Sequence, residues 1–327
     1  MQLSRRHLVT GATGFLGTHL VEELRRQGFA LRLLCRGASR WDNNPDIEIH
    51  RGDVLDRNVV GRAVAGIAGI FHLAGLVSRD KRDEPRLYDV HLRGTRYICE
   101  AAVHEGSPRL VLASSSGTLA VSREPTVHDE SSPYASDVTR DWPYYQSKIF
   151  QEKMAWSYHR HQGLPLVVIN PSLLLGPGDD RRSSTRDVAV FLDGFIRNYP
   201  AGGLNFVDVR DTAAAMARAM TDGRNGQRYL IGGTNMTFRE FFRLTARVAG
   251  KRPLRFPITK GLAAVYARVL GGFYRLAKRT CPLDPVSVEM AFYFWYLRND
   301  RAVAELGLRT RPAEETLRDT VDYLRRS

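Results

Sequence analysis

"HLVTGATGFLG", residues 7–17, constrains the fold more than any other stretch. A short apolar run ends in three glycines spaced three apart, Gly11, Gly14 and Gly17, and an apolar-periodic segment then runs to about Gln27, with Gly28 as its stop. That order reads as strand, tight turn and helix. The first glycine allows the turn, the second lets a pyrophosphate approach the backbone, and the helix start supplies N–H groups at its positive dipole end.

Later stretches continue the pattern. "FALRLLCR" (29–36), "IEIHRGDV" (47–54), "IAGIFHLAG" (67–75), "PRLVLASSS" (108–116) and "LPLVVINPS" (164–172) are strand candidates, and helical patterns at about 56–65, 86–105 and 144–162 separate the later ones. Their apolar runs are continuous, as in strands covered on both faces. The expected fold is α/β, a doubly wound parallel sheet with a smaller, mostly helical C-terminal part. Residues 1–175 form the nucleotide-binding domain, with 204–222 ("LNFVDV" and a helix) returning to it. Residues 176–203 and 223–327 form the substrate-binding part, and 327 residues suffice for both.

Composition narrows the class. At 43% hydrophobic and 25% charged, the chain is neither a fibre nor disordered. Its start passes from a basic pair directly into the glycine turn, without the apolar core of a signal peptide. The most apolar stretch, 63–77, is shorter than the roughly 18 residues of a membrane span and carries His72. A cytoplasmic location is expected. Cys35, Cys99 and Cys281 are far apart and make neither a disulfide framework nor a zinc site, and no metal is expected. The net charge of +13 suits anionic partners, yet the Arg-Arg pairs at 5, 25, 181 and 325 are scattered and no nucleic-acid-binding signature is present.

Two Tyr-x-x-x-Lys spacings occur, Tyr144 to Lys148 in "DWPYYQSK" and Tyr274 to Lys278 in "YRLAK". Chance alone supplies about a quarter of such a match per chain, so context must separate them. On a helix Tyr144 and Lys148 share a face, whereas Tyr145 points about 100° away. An ammonium near a phenol stabilises the phenolate and lowers its pKa, which suits proton exchange near neutral pH.

Gly-x-x-Gly-x-x-Gly, "GDVLD" (52–56), "HLAG" (72–75), "GT" (94–95), the serine-ended strand 109–116 and Tyr144 to Lys148 stand in the order seen in extended short-chain dehydrogenases/reductases, the NAD-dependent epimerase/dehydratase family. The resemblance spans nearly the whole chain. "NPSLLLGPGD", "GGLNFVDVRDTA" and "RYLIGG" look most like its dihydroflavonol-4-reductase-like branch, which includes hopanoid-associated sugar epimerase-like proteins.

The resemblance implies a Rossmann domain and a nicotinamide cofactor. It makes Ser115, Tyr144 and Lys148 catalytic, with Ser116 the neighbour that could replace Ser115, and reads Tyr274 as an amphipathic-helix residue. Implied cofactor-binding residues are Gly11, Thr13, Gly14, Phe15, Leu16 and Gly17 at the turn, Asp53 and Val54 at the adenine, Leu73, Ala74 and Gly75, then Tyr144, Lys148, Pro171 and Ser172. Arg36 ends the second strand where an acid would favour NAD, and with Arg40 it suits the 2′-phosphate of NADP. His91 stands where many relatives carry Asn and is read as a satisfied polar residue.

The expected activity is NADP-dependent reduction of a ketone or aldehyde. Ser115 would hydrogen-bond the carbonyl and Tyr144 would supply the proton. The alternatives are a sugar-nucleotide epimerase or dehydratase with retained cofactor and a non-catalytic nucleotide-sensing protein. Residues 259–280 place Leu262, Tyr266, Val269, Leu270 and Phe273 at helical spacings, with Lys260, Arg268, Arg275, Lys278 and Arg279 mostly elsewhere around the helix. "AFYFWYL" (291–297) adds five aromatics. A largely apolar substrate reached from a membrane surface is expected; the alternative is that these faces pack against the second domain. The partners expected are thus a small-molecule substrate, a membrane surface met peripherally and a second copy in a homodimer, with no nucleic acid.

Overall fold

The computed structural model describes residues 6–276, 281 and 283–327; Lys278 and Arg279 lie outside the described residues, as does the Arg275 side chain. Seven strands, numbered along the chain, form a parallel sheet: β1 (His7–Thr10), β2 (Leu31–Cys35), β3 (Ile47–Arg51), β4 (Gly69–His72), β5 (Arg109–Ala113), β6 (Leu166–Pro171) and β9 (Gln227–Ile231). Their order is β3-β2-β1-β4-β5-β6-β9. A second sheet orders β10 (Thr234–Thr237), β8 (Gly203–Asp208) and β7 (Leu173–Leu175), with β10 antiparallel to β8.

Alternation along each strand splits the core in two. Leu8, Ile70, Leu110, Leu112 and Val168 face α2 (Arg57–Val64), α4 (Thr95–His104) and α5 (Pro143–Gln162). Val9, Phe71, Val111, Val167 and Ile169 face α1 (Phe15–Arg26) and α7 (Val209–Ala219). Short α3 (Glu84–Tyr88) runs through a π-helical stretch, Asp89–Gly94, into α4. Over the second sheet lie α6 (Arg186–Leu192), α8 (Phe238–Val248) and α12 (Ala313–Arg326), joined by Phe206, Phe241, Phe242 and Leu317. The remaining helices are α9 (Lys260–Leu276), α10 (Pro285–Met290) and α11 (Asp300–Leu306).

Two segments sit differently from the sequence reading. The run at 204–208 does not return to the large sheet, because β8 pairs with β7 and β10; only the following α7 packs back on α1. Conversely Gln227–Ile231, in the stretch assigned to the substrate-binding part, is the edge strand of the large sheet, paired in parallel with β6. Its apolar end, Tyr229, Leu230 and Ile231, is buried there. A strand-like run shows its own extension but not its partner.

After β1 the chain moves outward through β2 and β3, then crosses to β4 on the other side of β1. Ligands of open α/β sheets bind at such a reversal, beyond the carboxyl ends of the strands.

Candidate active site

The glycine turn is built at that reversal. Gly11 has φ of +72°, and a Cβ on it would come within 2.7 Å of the Leu73 and Ala74 backbone. A Cβ on Gly17 would meet the Gly11 carbonyl oxygen at 2.0 Å. The turn therefore packs backbone on backbone. Gly14 caps α1 without a side-chain hydrogen bond, leaving the first N–H groups of the helix for a ligand.

A cleft of about 1690 Å³ runs from this turn into the C-terminal part. Of the residues singled out from the sequence, Gly11, Thr13, Gly14, Phe15, Leu16 and Gly17 line it, as do Leu73, Gly75, Ser115, Tyr144, Lys148, Pro171 and Ser172. Arg36, Arg40, Asp53, Val54 and Ala74 are not part of this wall: Arg36 follows β2, Asp53 and Val54 follow β3, and Ala74 donates its N–H to Thr10 Oγ1 at 3.1 Å. Arg36 pairs with Asp53 at 3.7 Å, while Arg40 pairs with Glu22 at 2.7 Å and lies over the Trp41 ring.

The three serines after β5 separate. Ser114 donates to the buried Glu152 carboxylate, and Ser116 is buried at the start of a short 3₁₀ turn. Ser115 Oγ accepts from Gly117 N at 3.3 Å, lines the cleft with Tyr144, and favours the ionised form of that phenol. Pro143 occupies the first turn of α5, where its missing N–H costs nothing, and Tyr144 follows at the mouth of the helix. Tyr145 instead packs beside Trp142 and Trp295, with ring centroids 6.1 and 5.2 Å away.

α5 buries a polar face: Ser147, Lys148, Gln151 and Glu152 are all buried. Lys148 Nζ donates to Ala113 O at 3.0 Å and to Gln151 Oε1 at 2.9 Å. Gln151 Nε2 donates to Thr95 Oγ1, Thr95 Oγ1 meets His72 Nε2, and His72 Nδ1 meets Thr10 Oγ1, at 2.7, 2.9 and 2.7 Å. Burial and the Lys148 charge push His72 down to about 3, so the ring is neutral. Thr95 accepts from Gln151 and Thr10 from the Ala74 N–H, and each hydroxyl also engages one His72 ring nitrogen, so both nitrogens of the neutral ring are satisfied. One chain of hydrogen bonds thus runs from the lysine to the residue preceding Gly11.

Burial lowers the Lys148 ammonium to about 8, opposed by the Glu152 carboxylate. The phenol differs from the expectation that Lys148 lowers its pKa. Burial raises the Tyr144 pKa, Tyr145 adds to this, and only the Ser115 hydroxyl opposes it. The ammonium is turned toward Gln151 and Ala113, and the phenol stays protonated at neutral pH. Glu152 also accepts from Thr118 at 3.0 Å, Tyr134 at 3.1 Å and Asn170 at 2.7 Å, and Arg228 approaches to 3.6 Å.

His91 lies in the π-helical stretch with both ring nitrogens used. Nε2 accepts from Leu76 N at 3.2 Å and Nδ1 meets Ser147 Oγ at 2.8 Å. Sequence reasoning missed His72, Thr95, Gln151 and Glu152. The signal was present only for the last two, which follow Lys148 at the i+3 and i+4 spacing of one helix face.

Beyond the tyrosines the cleft wall mixes apolar side chains, Leu204, Phe238, Phe242, Ile258, Met290 and Trp295, with charged ones, among them Arg181, Asp187, Asp193 and Arg197. Arg79 crosses this half, pairing with Asp187 at 3.2 Å and donating to Ser287 Oγ at 2.5 Å, so its charge is compensated. Among the described residues no cluster of His, Cys, Asp or Glu could hold a metal, and no helix is long and apolar enough to cross a membrane.

The NAD dependent epimerase/dehydratase family matches residues 7–232, which takes in the turn, the serine strand and α5. The chain belongs to this family. It is an NAD(P)-dependent oxidoreductase of the extended short-chain dehydrogenase/reductase type. A Synechocystis sp. protein bearing a dihydroflavonol 4-reductase name is 33% identical over 96% of this chain and 93% of its own length. Sterol demethylase protein B of Methylococcus capsulatus is 30% identical over 74% of each chain. The UDP-glucose 4-epimerase of Thermus thermophilus, solved in complex with NAD, superposes with a TM-score of 0.74 at 25% identity, covering 98% of this chain and 99% of that one.

This epimerase/dehydratase-family cleft fits the family's nicotinamide cofactor on three observations. The glycine cradle admits no Cβ at Gly11 or Gly17, α1 begins without a side-chain cap, and Ser172 Oγ is buried on the cleft wall with no hydrogen-bond partner among the described residues.

Proposed function

We propose that the protein is an NADP-dependent reductase that converts a ketone or aldehyde carbonyl of a largely apolar substrate to the alcohol. The observation that carries this reading is that Ser115, Tyr144 and Lys148 share the wall of one cleft with the glycine turn, between the turn and the C-terminal part. When bound, the cofactor supplies the hydride. Its pyrophosphate would rest on Gly11, Gly14 and the start of α1, and Ser172 Oγ would gain its missing partner.

A carbonyl oxygen between the two hydroxyls accepts a hydrogen bond from Ser115 as negative charge develops, and takes its proton from Tyr144. A phenol held protonated by burial suits donation in this direction. The phenolate left behind requires a nearby cation, and Lys148, one helical turn away, is the buried ammonium that can turn to it. The NADP preference is supported by the basic end of β2: no acid stands there, and Arg36 is exposed with one carboxylate 3.7 Å away. The largely apolar character of the substrate is supported by Phe238, Phe242, Ile258, Met290 and Trp295 on the cleft wall and by the sterol in the name of the Methylococcus relative.

The epimerase reading, favoured by the superposition on UDP-glucose 4-epimerase, uses the same tyrosine but returns the cofactor to its starting state. Incubation with NADPH and a panel of sterol-like ketones, aldehydes and sugar nucleotides separates the two. Loss of nicotinamide absorbance matched by alcohol formation from an apolar carbonyl supports the reductase. A sugar nucleotide rearranged with no net NADPH loss overturns it.

A further inference from the structure

α9 is oriented against the usual rule for a packing helix. It buries Ala263 and Ala267, whereas Leu262, Val265, Tyr266, Val269, Phe273 and Leu276 are between 40% and 88% exposed. At about 100° per residue these six side chains fall within one arc of about 100°. A helix that serves only the core turns its large side chains inward, as α12 does with Leu317 and Val321. The expectation that this stripe packs against the second domain therefore does not hold for α9: its small residues face the protein and its large ones face solvent. Phe256, just before it, is exposed as well.

Charge points to what covers this face. Residues 251–283 carry eight Lys or Arg and no Asp or Glu, a large share of the net +13. Lys251, Arg252, Arg255, Lys260 and Arg268 are exposed. Arg268 lies on the helix outside the apolar arc, whereas Lys260 sits near the alanine face and pairs with Glu289 at 3.5 Å, so the headgroup contacts fall to Arg268 and to Lys251, Arg252 and Arg255 ahead of the helix. A second copy docking through the same face would bring two such basic segments together. The patch is also continuous with the cleft, because Leu262 and Tyr266 belong both to the exposed arc and to the cleft wall.

We propose that α9 docks on the surface of an anionic lipid bilayer, lying in the interface with its apolar arc in the acyl region and its basic residues at the headgroups. The 17 described residues of the helix, at about 1.5 Å each, are too short to span, and its alanine face stays on the protein. The mouth of the cleft then opens at the lipid, so an apolar substrate enters without crossing water. The entry route rests on the reductase reading; the docking itself does not.

Flotation with vesicles of phosphatidylcholine alone and with added phosphatidylserine, without substrate, tests it. The whole chain is expected to float with the anionic vesicles at low salt and several-fold less at high salt, because screening weakens the basic contribution. Val269→Glu combined with Phe273→Glu is expected to reduce binding at least about tenfold. Both side chains are exposed and off the cleft wall, so an unchanged melting temperature and unchanged NADPH binding establish that the variant is folded. Absence of flotation at either salt overturns the proposal, and so does equal flotation of the double variant. A concentration-dependent dimer that the double variant disperses, without vesicle binding, would also overturn it and assign the face to a second copy.

Discussion

Lys148 Nζ donates to Gln151 Oε1 at 2.9 Å, one turn further along the same buried helix face. Gln151 thereby holds the ammonium away from Tyr144 and links it through Thr95 and His72 to the strand that ends at the glycine turn. We expect Gln151→Leu to lower kcat/KM by about tenfold or more, since it leaves a buried ammonium and the Thr95 hydroxyl each short of a partner. Gln151→Glu should instead raise the lysine pKa and move the alkaline limb of the pH profile upward. Steady-state kinetics across pH for both variants checks this.

The free protein should lose kcat/KM with a midpoint near pH 8. Burial depresses the Lys148 ammonium to about 8, so the cation is present below that pH and absent above it. Above the midpoint the phenolate formed during turnover has no neighbouring cation. A flat profile through pH 9 would mean that Lys148 is not required in its charged form.

Tyr144→Phe should reduce turnover by about a hundredfold to ten-thousandfold, with cofactor binding retained, because one hydroxyl is removed and little volume. Tyr145→Phe and Tyr274→Phe should stay within about threefold of the wild type. Parallel turnover and cofactor-titration measurements on the three variants decide which tyrosine acts.

Gly11→Ala should abolish cofactor binding and cost about 2 kcal/mol or more of stability. The added Cβ needs a left-handed backbone and meets the Leu73 and Ala74 backbone at 2.7 Å. Thermal melting with and without NADPH separates the two effects.

Arg36→Asp should weaken NADPH binding by roughly tenfold to a hundredfold while leaving NADH binding much less affected, through loss of a charge-assisted contact and gain of a repulsive one. Comparative titration of both cofactors measures it. Tighter binding of NADH than NADPH by the wild type would remove the basis for the NADP preference.

Much of this site was legible in the sequence because its parts are local. The glycine spacing, the strand ahead of it and the four-residue step from Tyr144 to Lys148 are each contained in one segment. The link from Lys148 to Thr10 was not legible, since Gln151, Thr95, His72 and Thr10 stand in four different elements and meet only when the sheet forms. The spacing of Gln151 and Glu152 from Lys148 showed that they share its helix face, but not that this polar face is buried, because apolar periodicity marks buried faces only when they are apolar. The outward direction of the α9 stripe was equally hidden: spacing shows that a stripe exists, and only the neighbouring elements decide which side is covered. The same holds for β8, whose apolar run is clear while its sheet depends on β7 and β10.

Isotope transfer tests the proposed chemistry most directly. NADPH deuterated at the transferable position of nicotinamide C4 is incubated with an apolar ketone that the protein turns over, and the alcohol is analysed by mass spectrometry and NMR. We expect one deuterium on the former carbonyl carbon for each NADPH consumed, with the same product formed at least about a hundredfold more slowly by Tyr144→Phe. Product formed without deuterium, or at full rate in Tyr144→Phe, would contradict direct hydride reduction with Tyr144 as the proton donor.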